Sequence, residues 1–263
     1  MLPAVGIIPV RFASTRFPGK ALADLGGKPM IQHVCERARG ARALARLLVA
    51  TDDARIRRVV EGFGVEVRMT SPCHRSGTER VAEAAKQLDE PIVVVIQGDE
   101  PLIDPRGIDA AVSALSSDSS LAACTLSERM SDPSEIFDPN VVKVVLDARG
   151  NALYFSRSPI PYLRGDGPLQ ADFRGALARR GDDAPRFLKH VGLYAFRRDR
   201  LLEFVSLPPC EAEIAEGLEQ LRWLHAGARV RTLIAEGRSI GVDTPADLER
   251  VRRLLAAHSR EGA

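Results

Sequence analysis

A short basic segment near the amino terminus, Pro9–Lys20 (PVRFASTRFPGK), has the residue types that bind phosphate groups. Its three cations, Arg11, Arg16 and Lys20, are separated by hydroxyl-bearing and small residues. Backbone N–H groups and cations together neutralise a polyphosphate, so this composition favours an anion-binding loop. The GxxxxGK[ST] order of a Walker loop is absent. The residues alone leave open that the segment is an ordinary solvated loop.

Two aspartates far apart in the chain, Asp99 and Asp243, are the candidate metal ligands. Asp99 lies in QGDEP, which follows the apolar run 91–96, and Asp243 precedes a Thr-Pro pair. A carboxylate at the carboxyl end of a central strand lies where α/β proteins bind ligands, and Mg²⁺ prefers oxygen ligands. With the basic loop, the two acids indicate phosphoryl or nucleotidyl transfer, in which catalysis is mostly positioning and charge neutralisation. Asp99 could instead be a turn acid before Pro101, and Asp243 could be only an acid that precedes a helix.

A third polar stretch, Cys73–Arg80 (CHRSGTER), precedes a helical pattern. Ser76 and Gly77 could simply begin that helix, and the residues alone favour this interpretation. Gly77 could also let a flat ring lie against the backbone, with Arg80 one turn further along.

Predicted strands and helices must position these groups. In the first half of the chain, short apolar runs alternate with helical patterns. This alternation is typical of a mainly parallel sheet. Strands are predicted over 4–8, 46–51, 65–69, 91–96 and 121–126, with helices between them. The acidic pair Asp52-Asp53 ends the second strand, and one of the two is predicted to cap the following helix.

The pattern changes in the second half. A hairpin is predicted from the runs 141–146 and 152–155, which flank a Gly-containing turn, and a further strand over 187–196. The polar stretch 164–186 is predicted to be a mobile excursion. One helix is expected over 215–226, a strand over 230–235 and a final helix from Thr244. We therefore predict a core over 1–126, antiparallel additions over 127–196 and a return to the core over 197–263.

Length, charge and composition indicate which classes of protein this sequence fits. A chain of 263 residues can form one large α/β domain with a sub-domain, and a net charge of +2 gives no global attraction to nucleic acid or membranes. No apolar run approaches the roughly 20 residues of a membrane span, and no signal peptide is recognised. The cysteines form no CxxC pair, so inert thiols are expected. The sequence therefore predicts a soluble, cytoplasmic protein.

Motifs along nearly the whole chain resemble those of the 3-deoxy-manno-octulosonate (KDO) cytidylyltransferases, the CMP-KDO synthetases of lipopolysaccharide synthesis. The motifs occur in the family's order and are PVRFASTRFPGK, LGGKPMIQHV, VATDD, SGTER, VVVIQGDEP, PNVVKVVLD, ALYFSRSPIP, KHVGLYAF, LEQLR and GVDTPADLERV. ALYFSRSPIP, KHVGLYAF and LEQLR separate this family from other sugar nucleotidyltransferases.

The resemblance implies a Rossmann-like (GT-A-like) nucleotidyltransferase fold, with a mostly parallel α/β sheet and a smaller antiparallel dimerisation sub-domain. It further implies a homodimer that uses Mg²⁺. In the family reaction, the anomeric hydroxyl of KDO attacks the α-phosphate of CTP, which gives CMP-KDO and pyrophosphate.

The resemblance also implies a set of nucleotide and metal contacts. The positions that match the nucleotide motifs are Arg11, Ser14, Arg16, Lys20, Ser76, Gly77, Arg80 and Gln97. In the family's pattern Arg11 and Lys20 contact the triphosphate, with Ser14 and Arg16 in the same loop. The cytidine pocket is lined by Ser76, Gly77 and Arg80, and Gln97 lies between nucleotide and sugar. Asp99 and Asp243 match the metal ligands, and Arg11, Lys20 and Asp99 the catalytic groups.

The implied sugar site comprises Arg157, His190, Tyr194, Glu219 and Gln220. KDO has a carboxylate, which Arg157 or His190 could bind, and several hydroxyls that Glu219 and Gln220 could pair. Two alternatives remain: a cytidylyltransferase for another acidic sugar, such as an amino-KDO or a nonulosonic acid, and a non-catalytic CTP-binding module. The presence of both aspartates argues against the second alternative.

Overall fold

The centre of the molecule is a parallel sheet, seen in a computed structural model that describes residues 2–13, 17–130, 132–163, 175, 177, 187–235 and 240–261. Strands β1 (Ala4–Val10), β2 (Leu44–Thr51), β3 (Glu66–Met69) and β4 (Ile92–Val95) run parallel, in the order β3-β2-β1-β4. The parallel first half predicted from the sequence is confirmed.

The later strands extend this sheet. They are β5 (Ala123–Arg129), β6 (Lys143–Leu146), β7 (Ala152–Ser156), β8 (Leu188–Arg197) and β9 (Val230–Ile234). The order continues β4-β8-β5-β9, with β8 antiparallel to both of its neighbours in this order and β9 parallel to β5. The hairpin β6–β7 joins through β6 to β8. The fold is therefore a mixed, mostly parallel α/β sheet, as predicted.

The helices of the described residues cover both faces of this sheet. They are α1 (Met30–Ala38), α2 (Ala54–Gly62), α3 (Gly77–Ala85), α4 (Pro105–Ser117), α5 (Arg198–Phe204), α6 (Glu211–Glu216), α7 (Gln220–His225) and α8 (Pro245–Glu261). The single helix predicted over 215–226 is wrong. Gly217 adopts a left-handed conformation with φ of 61°, which ends α6, and α7 begins three residues later.

Alternation along β1 divides the core into two layers. Ala4 and Ile8 pack on one face with side chains of α1, α2 and α4, whereas Val5 and Ile7 pack on the other face with α3 and α5. Strands buried on both faces are apolar at nearly every position, and the continuous apolar run of β4 follows from this burial.

The carboxyl ends of β1 and β4 lie at the same edge of the sheet, because Ile7 is in register with Val95. The basic loop follows β1 there, and the segment that contains Asp99 follows β4. Val242 N donates to the carbonyl of Asp99 over 2.8 Å, which brings Asp243 to the same edge. The topology thus collects three distant segments at one place, as ligand sites in open α/β sheets require.

The predicted domain division stays a prediction. Within the described residues, β8 from the second segment pairs with β4 and β5, and β9 from the third segment pairs with β5. The stretch 164–186, predicted to be mobile, lies outside the described residues apart from positions 175 and 177. In the part of the chain that is described, no helix combines the length and the apolar character that crossing a membrane needs.

Candidate active site

A cavity of about 360 Å³ opens at the edge of the sheet where β1 and β4 end. Most of the side chains predicted for the nucleotide and metal site line it, namely Arg11, Lys20, Ser76, Gly77, Arg80, Gln97, Asp99 and Asp243. Ser14 and Arg16, predicted for the same loop, lie outside the described residues. His74 and Arg75 also line the cavity, and the sequence analysis did not assign them.

The two predicted metal ligands meet on one cation. Lys20 Nζ donates to Asp99 Oδ2 over 2.6 Å, to Asp243 Oδ1 over 3.1 Å and to the carbonyl of Val242 over 3.0 Å. Burial lowers the pKa of Lys20, but the charges and hydrogen bonds of the two carboxylates outweigh burial, and the pKa lies above its ordinary value. The lysine is therefore a charged ammonium held between Asp99 and Asp243.

A glycine just before Lys20 shapes the basic loop. Gly19 has φ of 71°, and its N–H donates to the carbonyl of Phe12 over 2.9 Å. Glycine adopts this positive φ without strain, and a Cβ at Gly19 would also crowd the Phe12 ring at 3.0 Å. This turn sends the chain back over the end of β1 and starts a short 3-10 helix, Lys20–Leu22, that carries the lysine into the cavity.

The donor set at this point fits Mg²⁺. Two carboxylates and a carbonyl converge on a cation, and oxygen ligands of this kind are those that Mg²⁺ takes. Among the described residues, no group of three or more His, Cys, Asp or Glu side chains could hold a metal ion. A Mg²⁺ ion held by Asp99 and Asp243 would therefore take further ligands from water and substrate phosphate.

The opposite wall of the cavity is the amino-terminal turn of α3. Ser76 caps this helix by accepting from Glu79 N over 3.2 Å, so the interpretation of Ser76 as a helix start is confirmed. Gly77 also lines the cavity, and a Cβ there would lie 3.2 Å from Pro9 Cγ. The place that a side chain would take at Gly77 is thus occupied by Pro9, and the second interpretation, a flat ring against the Gly77 backbone, stays a prediction.

Arg80 also lines the cavity, and its side chain is almost entirely removed from water. Its side chain is 4% exposed, and it donates to Asp52 Oδ2 over 2.9 Å and to Thr70 Oγ1 over 2.5 Å. The capping expected from the acidic pair falls to Asp53 alone, whose carboxylate accepts from the N–H groups of Arg55 and Ile56.

The predicted sugar residues His190 and Tyr194 lie on β8, which a residue of the cavity wall contacts. Gln97 Nε2 donates to the carbonyl of Gly192 over 3.0 Å, which ties the cavity wall to this strand. His190 Nε2 lies 2.9 Å from Thr125 Oγ1, and the His190 ring packs 5.1 Å from that of Tyr194. Burial lowers the pKa of His190 to about 3, so its ring is neutral near neutral pH and can hydrogen-bond without charge.

Glu219 and Gln220 lie at the start of α7, against the other side of α3. The hydroxyl of Thr78 donates to Glu219. Thr78, Tyr194, Glu219 and Gln220 line a small cavity of about 20 Å³. Burial raises the pKa of Glu219, and the buried Tyr194 hydroxyl has no hydrogen-bond partner among the described residues. Thr78, which the sequence analysis did not assign, thus links α3 to the predicted sugar residues on α7 and β8.

None of the five predicted sugar residues lines the 360 Å³ cavity, and Arg157 lines neither this cavity nor the 20 Å³ one. Its guanidinium donates to the carbonyls of Glu216 over 2.7 Å and of Pro139 over 2.8 Å. Lys143, fully buried, donates to the carbonyl of Arg157 and fixes the chain there. The role of Arg157 toward the sugar stays a prediction.

Neutral His190 makes stability depend on pH. Between its ordinary value of 6.5 and its folded value of about 3, the unfolded chain binds more protons, so the free energy of unfolding falls as the pH is lowered through this range. We expect His190→Gln to make that fall shallower, measured by denaturant unfolding at about pH 7 and about pH 5. His225→Gln, at an exposed position on α7, should keep the wild-type slope. Identical slopes in wild type and His190→Gln would contradict the assignment.

Comparison with known sequences shows the family of this chain. The family model described as Cytidylyltransferase matches residues 5–232. A 3-deoxy-manno-octulosonate cytidylyltransferase of Geobacter sulfurreducens is 51% identical over 251 residues, which are 95% of this chain and 98% of that protein. The protein of the same name from Solibacter usitatus is 51% identical over 258 residues, 98% of this chain and 96% of that protein.

Solved structures agree with the sequence comparison. A CMP:2-keto-3-deoxy-manno-octonic acid synthetase complexed with CTP superposes with a TM-score of 0.87 at 43% identity, over 97% of this chain and 99% of that one. A 4-diphosphocytidyl-2C-methyl-D-erythritol synthase from Anaerococcus prevotii has a TM-score of 0.60 at 13% identity, over 96% and 98% of the two chains. The second match shows a shared nucleotidyltransferase fold and nothing finer.

Proposed function

We propose that this chain, which belongs to the 3-deoxy-manno-octulosonate cytidylyltransferase family, transfers CMP from CTP to the anomeric hydroxyl of KDO and releases pyrophosphate. The relatives near 50% identity over almost the whole chain support KDO as the sugar, in preference to another acidic sugar or a non-catalytic CTP-binding role. One observation of the site supports nucleotidyl transfer as the reaction. Asp99, Asp243 and Lys20 are in contact at the wall of a cavity that Arg11 also lines.

Arg11 and Lys20 define the phosphate end of the cavity, where they would neutralise the charge of the triphosphate. Arg11 is exposed at its rim, and Lys20 lies on its wall. When the triphosphate is bound, these two cations would hold it and balance the charge that grows on the departing pyrophosphate. Mg²⁺, held by Asp99 and Asp243, would supply Lewis-acid polarisation of the α-phosphoryl group. Ser14 and Arg16 remain predicted contacts of the same loop.

The remaining residues would place the two reactants. The wall at Ser76 and Gly77 would take the cytosine ring, with Arg80 beside it. Gln97, hydrogen-bonded to β8, would lie between nucleotide and sugar. Positions on β8 and α7 would contact the sugar, with Arg157 as a further candidate, and these are His190, Tyr194, Glu219 and Gln220. Holding both reactants in line is a large part of catalysis in this class of reaction.

We also propose a homodimer and a cytoplasmic location. On the hairpin, Leu153 is 60% exposed and Tyr154 is 37% exposed, and nearby in the sequence Tyr162 is 51% exposed. Within the described strands β7 pairs with β6 alone, so its other edge is open. An open edge with apolar side chains favours association with a second copy. CTP is a cytoplasmic metabolite, and we propose no nucleic-acid or membrane partner.

Pyrophosphate release from CTP, measured against a panel of acidic sugars, tests the proposed function. We expect release with KDO in the presence of Mg²⁺ and little release with amino-KDO or a nonulosonic acid. Release with an amino sugar and none with KDO would move the function to the first alternative. Binding of CTP without release with any sugar would favour the non-catalytic alternative.

A further inference from the structure

Asp52 is a part-buried carboxylate beside the cavity to which the roles above assign nothing. We propose that Asp52, together with Thr70, holds the Arg80 guanidinium in place at the cytidine end of the cavity. Asp52 is thus a positioning residue for recognition of the base. This inference rests on the proposed function, because it takes the cavity to be the nucleotide site.

Three elements converge on Arg80. Asp52 directly follows β2, Thr70 directly follows β3, and Arg80 lies in the first turns of α3. Arg80 Nη2 donates to Asp52 Oδ2 over 2.9 Å, and Nη1 donates to Thr70 Oγ1 over 2.5 Å and to the carbonyl of Ser71 over 3.5 Å. Both terminal nitrogens of the guanidinium are therefore held by groups at the ends of neighbouring strands.

The neighbouring acid, Asp53, has a different role from Asp52. The Asp53 carboxylate turns to α2, where it accepts from Arg55 N over 2.9 Å and pairs with the Arg55 side chain. That side chain is 61% exposed, whereas the side chain of Arg80 is 4% exposed. The Asp53 pair is thus a helix cap at the surface, and the Asp52 pair supports a group that lines the cavity.

Burial explains why Arg80 needs this partner. A guanidinium removed from water is stable only with an opposite charge and hydrogen-bond acceptors close by. Asp52 supplies the charge, and Thr70 supplies an acceptor. Because the guanidinium is planar and rigid, bonds at its two terminal nitrogens also fix the direction of its remaining N–H groups.

A fixed donor with compensated charge suits an uncharged base better than a phosphate. Cytosine and uracil both present an acceptor at O2, but N3 is an acceptor in cytosine and carries a hydrogen in uracil, so a donor directed at N3 distinguishes the two bases. A site built to donate a hydrogen bond loses much of its affinity for a ligand that cannot accept it. An Arg80 N–H group that the Asp52 pair directs to N3 therefore favours cytidine over uridine at this end, and the exposed Arg11 lies at the phosphate end.

The test compares Asp52→Asn with Asp53→Asn, since asparagine also caps helices and the second change is a matched control. Calorimetric titration with CTP and with UTP gives both dissociation constants. For Asp52→Asn we expect CTP binding to weaken about tenfold and the preference for CTP over UTP to fall about tenfold, as loss of one charged hydrogen bond predicts. The KM for KDO should stay within about twofold, and Asp53→Asn should match wild type in all three measurements.

The proposal is overturned if Asp52→Asn keeps both the CTP affinity and the CTP preference of wild type. If Asp52→Asn does not fold, Thr70→Val replaces it, because it removes the hydroxyl and keeps the ion pair. An unchanged CTP preference in Thr70→Val overturns the proposal, and a reduced one supports it. Titration needs no turnover, so a wild-type protein that binds CTP but does not join it to KDO would refute the proposed function alone.

Discussion

Asp99→Ala is expected to lower the rate of pyrophosphate release by about a thousandfold or more, at saturating CTP and KDO. Asp99 and Asp243 are the two carboxylates that meet at the cavity wall, and removing one leaves half of the proposed metal ligands. The fold should persist, because Lys20 keeps its contacts to Asp243 and to the carbonyl of Val242. Rates at several Mg²⁺ concentrations, with a thermal unfolding curve, make the measurement.

Asp104→Asn is the matched control for this variant. Asp104 lies five residues further on and caps α4, a role that asparagine also fills. Its activity should equal that of wild type. If Asp99→Ala released pyrophosphate at a near-normal, Mg²⁺-dependent rate, the metal assignment would be wrong.

Lys20→Ala is expected to reduce kcat by about a hundredfold and to leave the KM for KDO nearly unchanged, because the charge that Lys20 meets grows as pyrophosphate leaves. A second effect follows from the structure. The lysine is the cation between Asp99 and Asp243, so without it the two carboxylates repel each other. We expect Lys20→Ala to unfold at a lower temperature than wild type in a metal-free buffer, and Mg²⁺ to restore more stability to the variant than to wild type.

Lys28→Ala controls for the loss of a lysine. Lys28 pairs with Glu36 at the surface, where its side chain is 47% exposed, and such pairs contribute little. Kinetics and unfolding temperature should stay at wild-type values. A Lys20→Ala variant whose only defect is weaker apparent affinity for the sugar would contradict the role of Lys20 at the phosphates.

The sequence predicted the parallel core because its signals are local. The buried strands β1 and β4 are apolar along their length, and their polar ends mark the edge where the site forms. Asp99 could therefore be assigned to that edge without a structure. Asp243 could be added only as a hypothesis, because the hydrogen bond from Val242 that brings it there joins distant segments.

The parts that could not be predicted depend on partners far apart in the chain. Asp52 and Asp53 are equivalent in any local pattern, and only the fold shows that one caps α2 while the other pairs with Arg80. Arg157 is similar, because carbonyls from two separate segments hold its guanidinium. The break between α6 and α7 could not be predicted because Leu218, Leu221 and Leu224 have helical spacing, and only the left-handed conformation of Gly217 shows that α6 ends before them.

The most direct test of the central claim, metal-dependent CMP transfer at the site of Asp99 and Asp243, is identification of the products by phosphorus NMR. CTP, KDO and Mg²⁺ with the wild-type chain should give pyrophosphate and a sugar-linked CMP in equal amounts, and a chelator should stop both. Free CMP without a sugar link, or the same products at the same rate in the presence of the chelator, would contradict the account.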